Sequence, residues 1–194
     1  MSEVVPHLQE GYAVLAELWC SPQDADLEDA RRRAGAWLPD LHSVDPEAGG
    51  ALARFLQHDI AEDEYISLFE LDPRCALYVG SHTFEEPTTC AKAGVSDRNG
   101  YMIELLGIYR HLGLSPAGGE LPDYLPMMVE FLALTAGSDD PVRDKLIREY
   151  LLPYLPPLRA KLEELHSPYQ YLLDASARLM EREVAPTASG EGHA

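Results

Sequence analysis

The sequence predicts an all-α fold, a single-domain helical bundle of about seven to nine helices. Three observations predict it. Apolar residues recur at helical spacing along most of the chain, no run alternates with the period of a strand, and no strand–helix–strand rhythm occurs. At 194 residues the chain is long enough for one domain with a sizeable core and short for two. The expected domain is 1–183, with a small, polar and disordered tail over 184–194.

The elements follow in order. Leu8, Tyr12, Leu15 and Trp19 form one helical stripe, ended by Ser21-Pro22. A weaker segment runs from about Ala25 to Trp37 and stops before Pro39, because an interior proline breaks the hydrogen-bond ladder. Ala51 to Gln57 presents Leu52, Phe55 and Leu56, and Glu62 to Phe69 presents Tyr65, Ile66 and Phe69. Asp72-Pro73 predicts a further short helix carrying Ala76, Leu77, Tyr78 and Val79.

The segment 80–95 has glycine, proline and threonine without periodicity and reads as a loop. Ser96 or Asp97 caps the next helix, whose adjoining stripes are Tyr101, Leu105, Ile108, Leu112 and Met102, Leu106, Tyr109. Gly113 ends it, and Pro116-Ala117-Gly118-Gly119 is a turn. Pro122 and Asp123 open a helix with Leu125, Met128 and Leu132 on one face and Val129 and Phe131 beside them. Asp139-Asp140-Pro141 opens another, which Pro153, Pro156 and Pro157 interrupt before Leu158, Leu162 and Leu165 resume a stripe. Ser167-Pro168 begins the last, with Tyr169, Leu172, Leu173, Leu179 and Met180.

Composition narrows the class. The chain carries 33 acids against 15 Lys and Arg, a formal charge of −18. That field repels phosphate backbones and anionic lipid heads, so nucleic-acid and membrane-surface roles are disfavoured and a basic partner segment is attracted. Solubility alone also accounts for such a charge. Cys20, Cys75 and Cys90 are scattered and odd in number, which indicates neither a disulfide framework nor a zinc site. Such thiols suit a reducing compartment. No signal peptide and no membrane-length apolar run is recognisable, so the protein is expected in the cytoplasm.

Catalytic patterns are missing. The seven histidines form no HExxH or i, i+4 pair, and no GxSxG, P-loop or dinucleotide fingerprint occurs. Clusters such as Glu62-Asp63-Glu64 read as solvated faces. Arg31-Arg32-Arg33 follows Glu28 and Asp29 in a helical segment and reads as an ion-paired face rather than an export signal. No enzyme activity, metal or cofactor is expected.

The string Glu120-Leu121-Pro122-Asp123-Tyr124-Leu125-Pro126, followed by Glu130-Phe131-Leu132-Ala133, resembles the signature helix of the NarJ branch of the NarJ/TorD/DmsD chaperones. Two further blocks agree in order and spacing. Tyr65, Phe69, Arg74, Leu77, Tyr78 and Gly80 resemble the family's Y-x-x-x-F-x-x-x-x-R-x-x-L-Y-L-G block, and Asn99 to Leu114 is similar to the helix and turn before the signature. The likeness covers roughly residues 60 to 136. There are departures. TorD and DmsD relatives carry an acid–histidine pair where Asp123 is here followed by Tyr124. The loop Ser81 to Pro87 differs from the shorter NarJ pattern and directs attention to chaperones of selenate, chlorate, dimethylsulfide or ethylbenzene enzymes.

The resemblance implies a system-specific chaperone, formerly called a delta subunit, for a DMSO-reductase-family enzyme. Such a protein binds the N-terminal, twin-arginine-like segment of the catalytic molybdenum subunit. It holds the apoenzyme competent for molybdenum-cofactor insertion before export or membrane docking. A monomer, or a weak dimer swapped across the 80–95 segment, is expected. The alternative is a small-molecule-binding or regulatory all-α domain. The groove candidates are Glu120, Asp123, Tyr124, Arg74, Tyr78 and His82. Each has a plainer role open to it: helix capping for Asp123, an acid's partner for Arg74, core packing for Tyr78, Leu125 and Met128, and a solvated loop position for His82.

Overall fold

Five aromatic side chains from four helices pack together and set the arrangement of the rest. In this computed structural model, which describes residues 8–84 and 96–185, Tyr169 stands edge-on to Phe69 at 4.8 Å and lies 5.4 Å from both Trp19 and Phe55. Tyr65 completes the cluster and donates its hydroxyl to the carbonyl of Trp19 at 2.9 Å. Such ring pairs add to their area burial, and the buried phenol has the partner it needs.

The helices around it are α1 (Leu8–Trp19), α2 (Leu27–Val44), α3 (Pro46–Leu56), α4 (Glu62–Phe69), α5 (Asp97–His111), α6 (Leu125–Leu134), α7 (Pro141–Lys145), α8 (Leu155–Glu164) and α9 (Tyr169–Val184). Helix α1 packs chiefly on α6 and on α2, while α3 is wedged between α2 and α9. Close approach of α1 to α2 needs Gly11, since a Cβ there would lie 2.4 Å from the Trp37 ring. Among the described residues there is no strand, and the all-α bundle holds. No helix of the described residues is long and apolar enough to cross a membrane.

Several elements differ from the sequence expectation. Helix α2 runs through Pro39 to Val44. Pro39 is exposed, as is Gly35, whose carbonyl loses its helical partner but faces solvent, while Trp37 and Leu41 stay buried and carry the helix on. Helix α3 begins at Pro46, earlier than expected, because Asp45 accepts from the amides of Glu47 and Ala48 and caps it. The last helix reaches Val184, whose carbonyl takes a hydrogen bond from Arg148. The remainder of the expected tail, and most of the expected 80–95 loop, lie outside the described residues.

Two corrections bear on function. Residues 72–78 are not helical. A 3-10 turn covers only Val79–His82, and Tyr78 instead forms an isolated antiparallel bridge with Tyr124. Nor do Pro122 and Asp123 begin a helix. They form a turn, and α6 starts at Leu125 with Pro126 in its first turn. The helix after α7 is interrupted as expected, by a π turn (Leu146–Leu151) and a 3-10 turn (Leu152–Tyr154) that holds Pro153, whereas Pro156 and Pro157 sit in the first turn of α8.

Polar ties close the bundle. Arg31 donates to the carbonyls of Leu56 and His58, and Arg33 pairs with Glu10 and Glu17 of α1 and with Asp29. The arginine run is thus a cross-helix brace as well as an ion-paired face. Arg143, only 3% exposed, reaches Glu183 at 2.8 Å and Thr135 at 3.1 Å, and Tyr12 donates to Glu183. Arg178 of α9 pairs with Asp45 at 3.1 Å.

Burial pulls the Asp45 carboxyl upward, but the Ala48 amide and Arg178 outweigh that and hold it below its ordinary value. A depressed folded pKa gives stability that is complete above the unfolded value, about 4, and lost as pH falls through the folded one. Asp45→Asn is therefore expected to be less stable than wild type at neutral pH, with the gap closing on acidification through that window. Urea midpoints of the two proteins across pH measure this.

Candidate peptide-binding cleft

The signature turn is fixed from both sides. Val79 N–H donates to the Asp123 carbonyl at 3.0 Å and Leu125 N–H to the Leu77 carbonyl at 2.9 Å, which holds Tyr78 extended just before the 3-10 turn that begins at Val79. Tyr109 of α5 donates its hydroxyl to the Pro122 carbonyl at 2.6 Å. The Asp123 side chain is 0% exposed, and its Oδ2 accepts from the Gly80 amide and from Arg98 Nη2, each at 3.2 Å. Position 80 must be glycine here, because a Cβ would sit 2.7 Å from that oxygen and 3.3 Å from the Tyr101 ring. Arg98 itself is 20% exposed.

The clamp places two aromatic rings at the surface. Tyr78 and Tyr124 lie 5.4 Å apart, both half-buried. Tyr78 donates to Glu120 at 3.0 Å, and Glu120 also accepts from the Leu121 amide at 2.8 Å. Burial, with the Glu120 hydrogen bond and charge adding, pushes the Tyr78 phenol up to about 12, so it remains a donor to that carboxylate. Burial likewise pushes Tyr124 up to about 12.

Beside Tyr124 opens a cleft of about 470 Å³ between α1, α6 and the 114–120 turn. Its apolar lining includes Ala13, Ala16, Leu114, Met127, Phe131 and Leu134, and Leu134 is 60% exposed. A shallower hollow of about 510 Å³ continues along the same two helices past Glu10 and Ala133 and shares Ala13, Glu130 and Leu134 with the first. Glu17, Glu120 and Glu130 line the first hollow, and Glu10 and Glu130 the second. An apolar channel with carboxylates along it suits an amphipathic segment carrying positive charge. Among the described residues no group of three or more His, Cys, Asp or Glu is placed to hold a metal.

The six candidate residues therefore separate. Glu120 and Tyr124 line the cleft, and Tyr78 backs them. Asp123 lies beneath, as the buried clamp, and caps no helix. His82 is held by its own segment, Nε2 lying 2.7 Å from the Ala76 carbonyl. Arg74 is exposed, away from the cleft lining and without an ion-pair partner among the described residues. Sequence reasoning missed the cleft face of α6, namely Met127, Glu130, Phe131 and Leu134 at i, i+3, i+4 and i+7, together with the clamp residues Arg98 and Tyr109. The available signal was an almost wholly apolar helix with one charged residue.

The chain belongs to the nitrate reductase delta subunit family, which matches residues 42–170. It is 28% identical over 175 residues to the nitrate reductase molybdenum cofactor assembly chaperone NarJ of Escherichia coli K12, covering 89% of this chain and 61% of NarJ. It is 35% identical over 116 residues to the probable nitrate reductase molybdenum cofactor assembly chaperone NarW of the same strain, covering 60% of this chain and 45% of NarW. The chain thus spans about three fifths of the length of NarJ.

Asp123→Ala removes the shared acceptor of Gly80 and Arg98. A loss of about 1–3 kcal/mol is expected, the range for a buried donor left unpaired. Chemical denaturation measures it, and an unchanged midpoint would refute the clamp.

Proposed function

We propose that this chain is a system-specific assembly chaperone for a molybdenum-dependent oxidoreductase. It binds the N-terminal segment of the catalytic subunit in the α1–α6 cleft and turns over no substrate. Holding that segment keeps the apoenzyme open for cofactor insertion and delays export or membrane docking. The work takes place in the cytoplasm, before the oxidoreductase is complete.

The observation that carries this reading is the cleft itself. The stretch that resembles the family's signature supplies one of its walls, through Glu120, Tyr124 and Glu130, with Met127 between them. Relatives named as molybdenum cofactor assembly chaperones support the same role. Physically, a foreign helix with an apolar face gains by covering Met127 and Leu134, which otherwise meet water. The acids along the channel speed encounter and orient the positive end of the segment.

Calorimetry with a synthetic peptide of the cognate catalytic subunit's N-terminus tests the proposal. Binding is expected at low salt and weakens as salt rises. Tyr124→Ala, which removes an aromatic wall, is expected to loosen it about tenfold. Asp123→Ala weakens it as well, through loss of the wall's support. Absence of heat at low salt would overturn the reading.

A further inference from the structure

Resting on that reading, we infer that Glu130 is the specificity-determining residue of the cleft: it pairs with one basic side chain of the bound segment, which carries apolar residues one helical turn to either side. Four carboxylates line the two joined hollows, and three already have partners. Glu10 and Glu17 share the guanidinium of Arg33, with Glu10 at 2.9 Å. Glu120 accepts from the Tyr78 hydroxyl and the Leu121 amide. Glu130 has neither a hydrogen-bond nor an ion-pair partner among the described residues.

Its position is equally distinctive. Glu130 is the one ionisable residue of α6, Leu-Pro-Met-Met-Val-Glu-Phe-Leu-Ala-Leu. It lies where the two hollows meet, and Met127 and Leu134 stand roughly one turn before and after it on the same face. Its charge is felt within the cleft. The Cys20 thiol, another lining residue, is pushed up to about 11 by burial first and by Glu130 next. A carboxylate amid apolar surface, with no internal cation, gains most from an external one. The partner's chemistry follows from that surround: a lysine or arginine whose neighbours at i±3 or i±4 are apolar, so that they cover Met127 and Leu134 while the charges meet.

The experiment uses the full chain, the same N-terminal peptide, and peptides in which each Lys or Arg is replaced in turn by Gln. Glu130→Gln is expected to bind the parent peptide at least tenfold more weakly and with a shallower salt dependence. Glu104→Gln, at an exposed carboxylate of α5 that lines neither hollow, is expected to change affinity by less than twofold. In the Glu130→Gln protein one particular peptide replacement ceases to matter, which identifies the paired residue. Because Glu130 is exposed, its variant should melt as wild type does. If wild type binds the peptide and Glu130→Gln binds it equally well, the inference is overturned while the chaperone reading stands. If wild type binds nothing at low salt, both fall.

Discussion

A carboxylate taken wholly out of water must be compensated, and in this protein the burial of Asp123 dictates the local architecture. Ionised in an apolar surround, it would cost many kcal/mol without partners. Gly80 supplies an amide and Arg98 a guanidinium, and meeting both demands brings three distant stretches of chain to one point. The consequences propagate outward. Residues 77–79 must lie alongside 123–125, so Tyr78 is extended and no helix runs through 72–78. Tyr78 and Tyr124 then pair, Glu120 is drawn onto the Tyr78 hydroxyl, and a wall of the cleft is complete. A residue that looks like a ligand contact in the sequence is thus a foundation for the residues that line the site.

Charge is organised on the same principle. The chain carries a large acidic excess, yet the acids nearest the cleft are not equivalent. Arg33 is shared among Glu10, Glu17 and Asp29, and the carboxylates on both sides of it hold its guanidinium firmly charged. That brace fixes α2 against α1, which forms the wall opposite α6. The contribution to stability of such half-exposed pairs is small. Their effect on the site is larger, because they give Glu10 and Glu17 an internal cation while Glu130 has none among the described residues.

Much of the bundle was legible because local rules and tertiary packing agree. Helix α4 has the expected ends, Glu62 and Phe69, and Ser96 and Asp140 cap the helices they were expected to cap. The failures share a cause. Pro39 signals a break that its exposed face makes tolerable, and Pro122 signals a helix start that the pairing of 123–125 with 77–79 forbids. Pairing between residues about 45 positions apart has no local signature. Glu120 and Tyr124 were reachable through motif likeness alone. The cleft face of α6 escaped because an apolar residue on its inner face, such as Met128, reads identically to one on its outer face, such as Met127. Only the packing of α1 decides which is covered.

That leaves a tension between the cleft and solubility. A channel presenting Leu134 and Met127 is the kind of surface that drives association of like molecules. For the proposed docking of a foreign segment the cleft has to stay open without becoming adhesive. The acidic coat resolves this. Two copies of the chain, each strongly negative, repel as their clefts approach, whereas a basic apolar segment is attracted by the same field. Carboxylates along the channel sharpen the distinction, since self-association would bury Glu130 with no cation to meet it. Under the proposed function, the same charge that sets copies of the apolar surface against each other favours a basic segment as its cover.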